Sequence, residues 1–310
     1  MKRKLIILLI ALLPLSYSYM DMSISKKNIN QEIVYVEKGD TIKKIYSKFN
    51  FKYGIVDKIF LKINPKLANI KEGMYKFNIG KISKIQLLKG LQEPYIDNIT
   101  LTIPEGFTQK KLLKRIESLG LAIEEEMLEA LNSIDFPFYH EKDNFDGYLY
   151  PETYLIPRGT EAKKIAEIIL GEFSKQFPPE NYNDKKKFYD DIKLASIVEF
   201  ETGELEHKSK VAGVFKKRLR INMLLQSDAT LKYELGRMAY KKELMESESL
   251  YNTYKHKGLP PTPICSPSKE TIVETINAEE DKYLFFFMDG GKTYYSETHE
   301  EHLRKRRSIK

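Results

Sequence analysis

The sequence predicts an α+β fold in three parts: an N-terminal membrane anchor, a small β-α-α-β module and a larger α+β domain. The aliphatic run Leu5–Leu13 follows three basic residues, which is typical of a membrane-directed leader. The alternating run Ile33–Val36 and the apolar run Tyr283–Met288 predict strands on either side of several amphipathic segments. The 310 residues, 42% of them hydrophobic, suffice for two folded units with cores of their own.

The leader predicts where the rest of the chain lies. Lys2, Arg3 and Lys4 precede the uncharged stretch, so we expect the N-terminus to stay in the cytoplasm and all that follows to face the periplasm or cell exterior. Tyr17 and Tyr19 suit the outer membrane interface, which favours a retained single-pass anchor over residues 1–20 in the cytoplasmic membrane. A cleaved signal peptide is the alternative, because Ser16–Ser18 offers small residues for a peptidase.

A polar linker is predicted over residues 21–31, and a module with its connection over residues 32–98. In the module a strand, two helices and a returning strand follow one another, each bounded by turn residues or proline. The runs Val34–Thr41, Ile63–Pro65 and Gly73–Tyr75 resemble the opening and the close of a LysM-type glycan-binding module. This resemblance implies either glycan binding or a structural spacer.

The larger domain is predicted over residues 99–310. It begins with the strand Ile99–Ile103, and Thr108 can cap the helix that follows. Further amphipathic helices are predicted at Glu161–Phe177, Lys185–Glu201 and Lys208–Asn222. After the buried strand Tyr283–Met288, the sequence Asp289–Lys292 predicts a hairpin turn because it contains two glycines.

Charge and cysteine content limit the possible partners. The net charge of +7 owes much to the tail Arg304–Lys310, which is either a solvated terminus or a contact for acidic polymers and lipid headgroups. No basic stripe with interleaved aromatics is present, so nucleic-acid binding is not expected. Cys265 is the only cysteine and can form neither an intramolecular disulfide nor a Cys-rich metal site. No metal and no cofactor are predicted.

Glu199 is the candidate catalytic acid. The preceding Leu194–Val198 is almost wholly apolar, so this helix should be buried on most sides and should desolvate a carboxyl group that emerges from it. Desolvation disfavours the charged form, which would make Glu199 a proton donor near neutral pH. Glu201 lies two residues further on, about 200° around the helix, so only one of the two can enter a given cleft. A paired, structural glutamate is the alternative.

Two polar segments downstream are candidate substrate contacts, because amide, hydroxyl and aromatic groups hold sugars. They contribute Gln226, Ser227, Asp228, Tyr251, Asn252 and Tyr254. The proline-rich loop Gly258–Ile264 follows them and should be rigid. Taken singly, each segment could be an ordinary capped turn. The aromatic cluster Tyr148–Tyr154 suits sugar stacking and core packing equally well.

Together these motifs resemble the endolytic murein transglycosylase (YceG-like) family across nearly the whole chain. The matching segments, in order, are Ile103–Gly106, Asp146–Tyr154, Ala195–Glu199, Gln226–Asp228, Tyr251–Tyr254 and Gly258–Pro261. The resemblance implies that Glu199 is the catalytic glutamate and that the segments at 226–228 and 251–254 form walls of its cleft. Departures occur where the family often has glutamate, lysine, proline and glycine; here these positions hold Asp146, Phe200, Ala229 and Thr262.

The implied reaction is the cutting of bonds between N-acetylmuramic acid (MurNAc) and N-acetylglucosamine (GlcNAc) within nascent peptidoglycan strands, leaving 1,6-anhydro ends and ending strand elongation. A lysozyme-like acid helix would carry Glu199, which acts first as acid and then as base. Implied partners are glycan strands, the cytoplasmic membrane and, as a further candidate, cell-wall synthases. Two alternatives remain open: a hydrolytic muramidase in which Asp228 or Glu201 orients water, and a noncatalytic glycan-binding scaffold for synthases.

Overall fold

The computed structural model describes residues 19–30, 33–37, 39–95 and 97–309. It divides into two compact units, Met1–Asp97 and Asn98–Lys310, and the α+β fold is confirmed. The predicted anchor over residues 1–20 lies outside the described residues except for its last two. Within the described part of the chain, no helix is both long and apolar enough to cross a membrane.

The first unit contains two antiparallel strand pairs, β1 with β4 and β2 with β3. Residues 19–24 are helical and are called α1. The other elements are β1 (Lys26–Ile29), β2 (Ile33–Val36), α2 (Ile42–Lys48), α3 (Ile55–Ile63), α4 (Pro65–Ala68), β3 (Gly73–Lys76), β4 (Gly80–Ser83) and α5 (Lys84–Gly90). The predicted order of strand, two helices and strand corresponds to β2, α2, α3 and β3.

The stretch predicted as a linker covers residues 21–31, and its described part, residues 21–30, is instead part of this unit. Strand β1 pairs with β4 over four residues, and Met22 and Ile29 are buried in the same core as Tyr46 and Tyr75. The linker prediction was wrong because only one residue of β1 faces the core, so the strand carries almost no apolar pattern. Pairing with a partner more than 50 residues away compensates for that weak local signal.

The second unit combines helices with two further antiparallel pairs, β5 with β6 and β7 with β8. Its elements are β5 (Asn98–Ile103), α6 (Gln109–Ser118), α7 (Glu124–Asn132), β6 (Glu152–Pro157), α8 (Ala162–Gln176), α9 (Lys185–Glu201), α10 (Leu205–Arg220), α11 (Asp228–Leu235), α12 (Lys241–Glu246), α13 (Lys269–Asn277), β7 (Phe285–Asp289), β8 (Lys292–Ser296) and α14 (His299–Ile309).

The aromatic cluster at Tyr148–Tyr154 belongs to the core of this unit. Tyr148 and Tyr154 are buried, and the Tyr148 ring contacts Phe173 with centroids 4.9 Å apart. Core packing therefore accounts for these side chains. Gly147 makes the close approach to α9 possible: its φ is +90°, and a Cβ at this position would lie 2.4 Å from Cγ2 of Ile192.

The C-terminal hairpin forms where the sequence predicted it. Asp289 pairs with Lys292, and the two glycines between them adopt positive φ, as a two-residue hairpin turn requires. The strand before the turn is less buried than expected, since its first three residues are half-buried and Met288 is exposed. A two-stranded sheet leaves such residues without cover on one face.

Candidate active site

Helix α9 carries both candidate carboxylates in its last turn. Asp184 caps its N-terminus by accepting a hydrogen bond from the Lys187 N–H at 2.9 Å. A continuous buried face from Leu194 to Val198 then fixes the helix in the core, and the helix ends at Thr202. The rigid helix holds Glu199 and Glu201 in fixed and divergent directions.

The carboxylate of Glu199 is surrounded by hydrogen-bond donors. Its Oε2 accepts bonds from the N–H and the hydroxyl of Ser268, both at 3.0 Å, and from the hydroxyl of Thr271. The ammonium of Lys208 lies 3.4 Å from each carboxylate oxygen. Oε2 is therefore saturated, while Oε1 has only the long contact to Lys208.

Lys208 is itself buried and belongs to the same cluster. Its Nζ donates to the hydroxyl oxygens of Ser268 at 3.2 Å and of Thr271 at 2.5 Å. Local sequence patterns do not mark Lys208, Ser268 and Thr271 as site residues. Lys208 could have been found, because with Val211, Ala212 and Phe215 it occupies the buried face of α10, where a lysine is unusual.

The apolar setting expected for Glu199 was wrong in one respect. The helix that carries it is buried, but the carboxyl group itself meets a cation and two hydroxyls, because α10 and α13 pack against α9 and bring polar residues to that point. At Glu201, burial raises the pKa of the carboxyl group.

Glu201 faces the predicted substrate segments. The Ser227 hydroxyl donates to Glu201 Oε1 at 2.5 Å, which opposes the rise in the pKa, while the nearby negative charge of Asp228 adds to it. Arg218 lowers the pKa of Glu201 by its charge, although its own guanidinium donates to the carbonyls of Leu225 and Leu284. Ser227 and Asp228 therefore group with Glu201, not with Glu199.

Gln226 and Asp228 of the first polar segment are exposed, and Asp228 contacts Tyr254 of the second segment. Gln226 is exposed and has a φ of +54°, and its N–H donates to the Thr253 carbonyl at 3.0 Å. The Tyr254 hydroxyl donates to Asp228 Oδ1 at 2.6 Å, so the two segments meet at these side chains. Burial and the Asp228 charge both raise the pKa of Tyr254, which keeps its hydroxyl protonated.

Asn252 and Tyr251 hold the loop together. Asn252 is 0% exposed, and its amide donates to the carbonyls of Leu244 and Ser247 at 3.0 and 2.8 Å. Asn252, predicted to contact substrate, is therefore not accessible to a sugar in this conformation. Its hydrogen bonds stabilise the loop instead. The half-buried Tyr251 forms a hydroxyl–hydroxyl hydrogen bond of 2.8 Å with Thr262.

Asp146 connects α6 to α11 near these segments. One carboxylate oxygen accepts from the Gln109 N–H at 2.6 Å, and the other from the Tyr233 hydroxyl at 2.7 Å. Burial raises the pKa of Asp146 to about 6. Because both oxygens are used, the first turn of α6 and the middle of α11 are held in a fixed relation.

Among the described residues, one set could bring three ligand atoms to a metal ion. Ligand atoms of Glu204, Glu206 and His207 lie within 4.8 Å of one another. The two glutamates are exposed, and His207 Nε2 already lies 3.2 Å from Glu204 and 3.5 Å from Glu206. These contacts suffice to explain the arrangement.

Comparisons with known proteins agree with one another. A model of the YceG-like family matches residues 34–308. An endolytic murein transglycosylase of Streptococcus pneumoniae serotype 2 (strain D39 / NCTC 7466) is 30% identical over 294 residues, which cover 82% of this chain and 53% of that protein. One of Bacillus subtilis (strain 168) is 30% identical over 172 residues, covering 52% and 47%. The chain thus spans about half the length of the curated relatives it matches.

A solved structure is similar as well. The crystal structure of a yceG-like protein of Listeria monocytogenes superimposes with a TM-score of 0.56 at 26% sequence identity. The similarity covers 90% of this chain and 98% of that one.

Proposed function

This chain belongs to the YceG-like family, and we propose that it is an endolytic lytic transglycosylase of peptidoglycan. It cuts MurNAc–GlcNAc bonds inside glycan strands, leaves 1,6-anhydro-MurNAc ends and so terminates strand elongation. Relatives that carry the name endolytic murein transglycosylase support the activity. The contacts of Glu199 support the assignment of the catalytic residue.

The observation that carries this assignment is the unequal use of the two Glu199 oxygens. Oε2 accepts three hydrogen bonds from Ser268 and Thr271, which fixes the orientation of the carboxyl group. Oε1 keeps the capacity to carry a proton and to take one up. Fixed donors at one oxygen stabilise the charge that develops when the other oxygen releases its proton.

The reaction proceeds in two proton transfers. Glu199 Oε1 gives its proton to the oxygen that bridges the two sugars, and the C1–O bond of the muramyl residue breaks as positive charge develops on C1. The carboxylate then removes the proton of the muramyl C6 hydroxyl, and that oxygen closes onto C1. Glu199 thus recovers the proton that it gave to the bridging oxygen, and no water is consumed. Helix α9 thereby acts as a lysozyme-like acid helix.

The test compares two isosteric substitutions on the same helix. Glu199→Gln should reduce strand cleavage about 10²- to 10⁴-fold, since it removes general acid–base catalysis but keeps the side-chain shape. Glu201→Gln is the matched control and should retain far more activity. Products are measured by mass spectrometry on purified strands, and folding by thermal melting. Full activity in Glu199→Gln, or loss confined to Glu201→Gln, would reject Glu199 as the acid.

A hydrolytic muramidase is the second candidate, and the position of Glu201 beside Asp228 is the observation that favours it. A carboxylate in this cluster could orient a water molecule for attack on C1. Cleavage in heavy-oxygen water separates the two reactions. If the new muramyl end is a reducing sugar that contains oxygen-18 from the water, the reaction is hydrolysis. If the new end is an unlabelled 1,6-anhydro sugar, the reaction is the lytic one.

The cellular setting completes the proposal. The enzyme is held in the cytoplasmic membrane by residues 1–20, its larger unit faces outward, and the LysM-like unit binds glycan or is a structural spacer. Cell fractionation and protease accessibility in spheroplasts test the topology. A noncatalytic scaffold that recruits synthases is the remaining alternative, and it predicts that cells carrying Glu199→Gln at normal protein level show no change in strand length.

A further inference from the structure

A groove in the second unit lies between α6 and α11 and has a volume of about 630 Å³. Its lining includes the apolar residues Phe200, Ala229 and Leu235 together with the buried Ile264, and we call these residues its apolar floor. The bond network of Asp146 joins α6 to α11, so the two walls are preorganised. A ligand that enters would not need to order the groove first.

The walls of this groove are cationic. Four lysines line it, namely Lys110, Lys111, Lys114 and Lys232, against one acidic residue, Glu234. Within the described residues none of these four lysines forms a salt bridge, whereas lysines on α8, α9 and α12 pair with a carboxylate one turn away. Unpaired like charges in a concave site focus a positive potential and attract anions.

The groove is lined by the residue that follows the proposed acid in the sequence. Phe200 directly follows Glu199, is 41% exposed and lies beneath the Lys232 ammonium, which is 5.8 Å from its ring centroid. The groove lining and the proposed acid thus include consecutive residues of α9, so a substituent of a strand bound at Glu199 is a candidate occupant of the groove. Lys110 and Lys114 are one helical turn apart, about 6 Å along α6, so the groove can hold more than one separated negative charge.

We infer that this groove binds the peptide stem carried by the muramyl residue, with the lysines contacting its carboxylates and the apolar floor contacting its small side chains. The inference rests on the proposed function. The glycan backbone of a stem-bearing strand is uncharged, because the lactyl carboxyl is consumed in the amide bond to the peptide. The mixture of apolar floor and cationic wall fits a peptide that alternates alanine with acidic residues better than it fits a phosphate polymer.

The first experiment uses strands with intact stems and the same strands stripped by an amidase. Wild type should cut intact strands with a kcat/KM about tenfold higher. The triple substitution Lys110→Ala, Lys114→Ala and Lys232→Ala should bring this ratio close to one, since each exposed charge pair changes affinity about two- to threefold. The matched control replaces three lysines on α8, Lys163, Lys164 and Lys175, and should keep the wild-type ratio despite the same loss of charge.

The second measurement does not depend on cleavage. A soluble muramyl tetrapeptide is titrated into the intact chain by calorimetry, and the groove variant should bind it about tenfold more weakly than wild type and the α8 variant do. Peptide binding without any strand cleavage would reject the proposed function and keep the groove assignment. Equal cleavage of both strands by wild type, or a preference that disappears on removing phosphate polymers from otherwise intact strands, would overturn the inference.

Discussion

Glu199 and Glu201 lie two residues apart on one helix, yet their surroundings are opposite. Glu199 meets a lysine and two hydroxyl groups on the side of α10 and α13, whereas Glu201 meets one serine and a like charge on the side of α11. Residues two positions apart on a helix point in nearly opposite directions. Glu199 and Glu201 therefore contact different neighbouring elements. The surroundings of a carboxyl group on this helix therefore depend on which packed element it faces.

The two environments also differ in what they stabilise. Glu199 contacts a cation and three hydrogen-bond donors, which are the partners available to the carboxylate of the second proposed step. The surroundings of Glu201 stabilise the protonated form, since burial raises the pKa of this group. Burial alone would favour Glu201 as the catalytic acid. Substitutions that affect only one of the two carboxyl groups are therefore needed to decide which of them is the acid.

The largest effect on stability is expected from removing the cation beside Glu199. The Lys208 and Glu199 side chains are only 7% and 8% exposed, so Lys208→Met leaves a buried carboxylate unpaired and should lower the free energy of unfolding by about 3 kcal/mol. Adding Glu199→Gln should restore much of that loss, because the uncompensated charge disappears. Urea unfolding of both single variants and the double variant measures this coupling.

Lys216→Met is the matched control for that cycle. Lys216 is on the same helix and donates to the carbonyls of Ile276 and Ala278 at 3.0 and 2.8 Å, so its loss costs hydrogen bonds but no buried ion pair. Its destabilisation should be about 1 kcal/mol and should not respond to Glu199→Gln. If the Lys208→Met variant shows no more coupling to Glu199 than this control does, the ion pair has no energetic role.

An intermediate effect, on kcat, is expected from removing one hydroxyl that donates to Glu199 and, separately, one that donates to Glu201. Thr271→Val deletes a donor to Glu199 Oε2 and nearly keeps the side-chain shape, so kcat should fall about tenfold, which corresponds to a hydrogen bond to charge of about 1.5 kcal/mol. Ser227→Ala deletes the donor to Glu201 and should reduce kcat by less. Steady-state kinetics on purified strands compares the two, and a larger loss in Ser227→Ala would transfer the catalytic role to the Glu201 side.

The sequence predicted the helices that carry this site better than the side-chain contacts within it. Helix α9 has the predicted bounds, and Thr108 caps α6 as expected by accepting from the Lys111 N–H, because apolar periodicity and capping are local signals. The donors around Glu199 were missed because Ser268 and Thr271 lie about 70 residues away in sequence and approach only through the packing of α13 on α9. Local patterns contain no information on such a contact.

The same limit explains the residues that were assigned to substrate from their type alone. The amide of Asn252 makes it a predicted substrate contact, but this amide donates both of its hydrogen bonds to the carbonyls of Leu244 and Ser247. Gln226 and Asp228, selected on the same grounds, are exposed. Residue type predicts which groups can bind a sugar, whereas burial decides which of them are free to do so.

The smallest expected effect is a change in the pH dependence of stability, and it tests the Glu201 side directly. Because the folded state raises the pKa of Glu201 above its unfolded value of about 4.3, the folded protein binds this proton more tightly than the unfolded chain does. Its contribution to stability is complete below the unfolded pKa and is lost as pH rises through the folded pKa. Glu201→Gln should therefore be relatively more stable than wild type at neutral pH than at about pH 4. Ser227→Ala should steepen the same decline, since the serine hydrogen bond lowers the pKa of Glu201. Urea unfolding at several pH values measures both, and parallel curves for the three proteins would show that folding does not raise the pKa of Glu201.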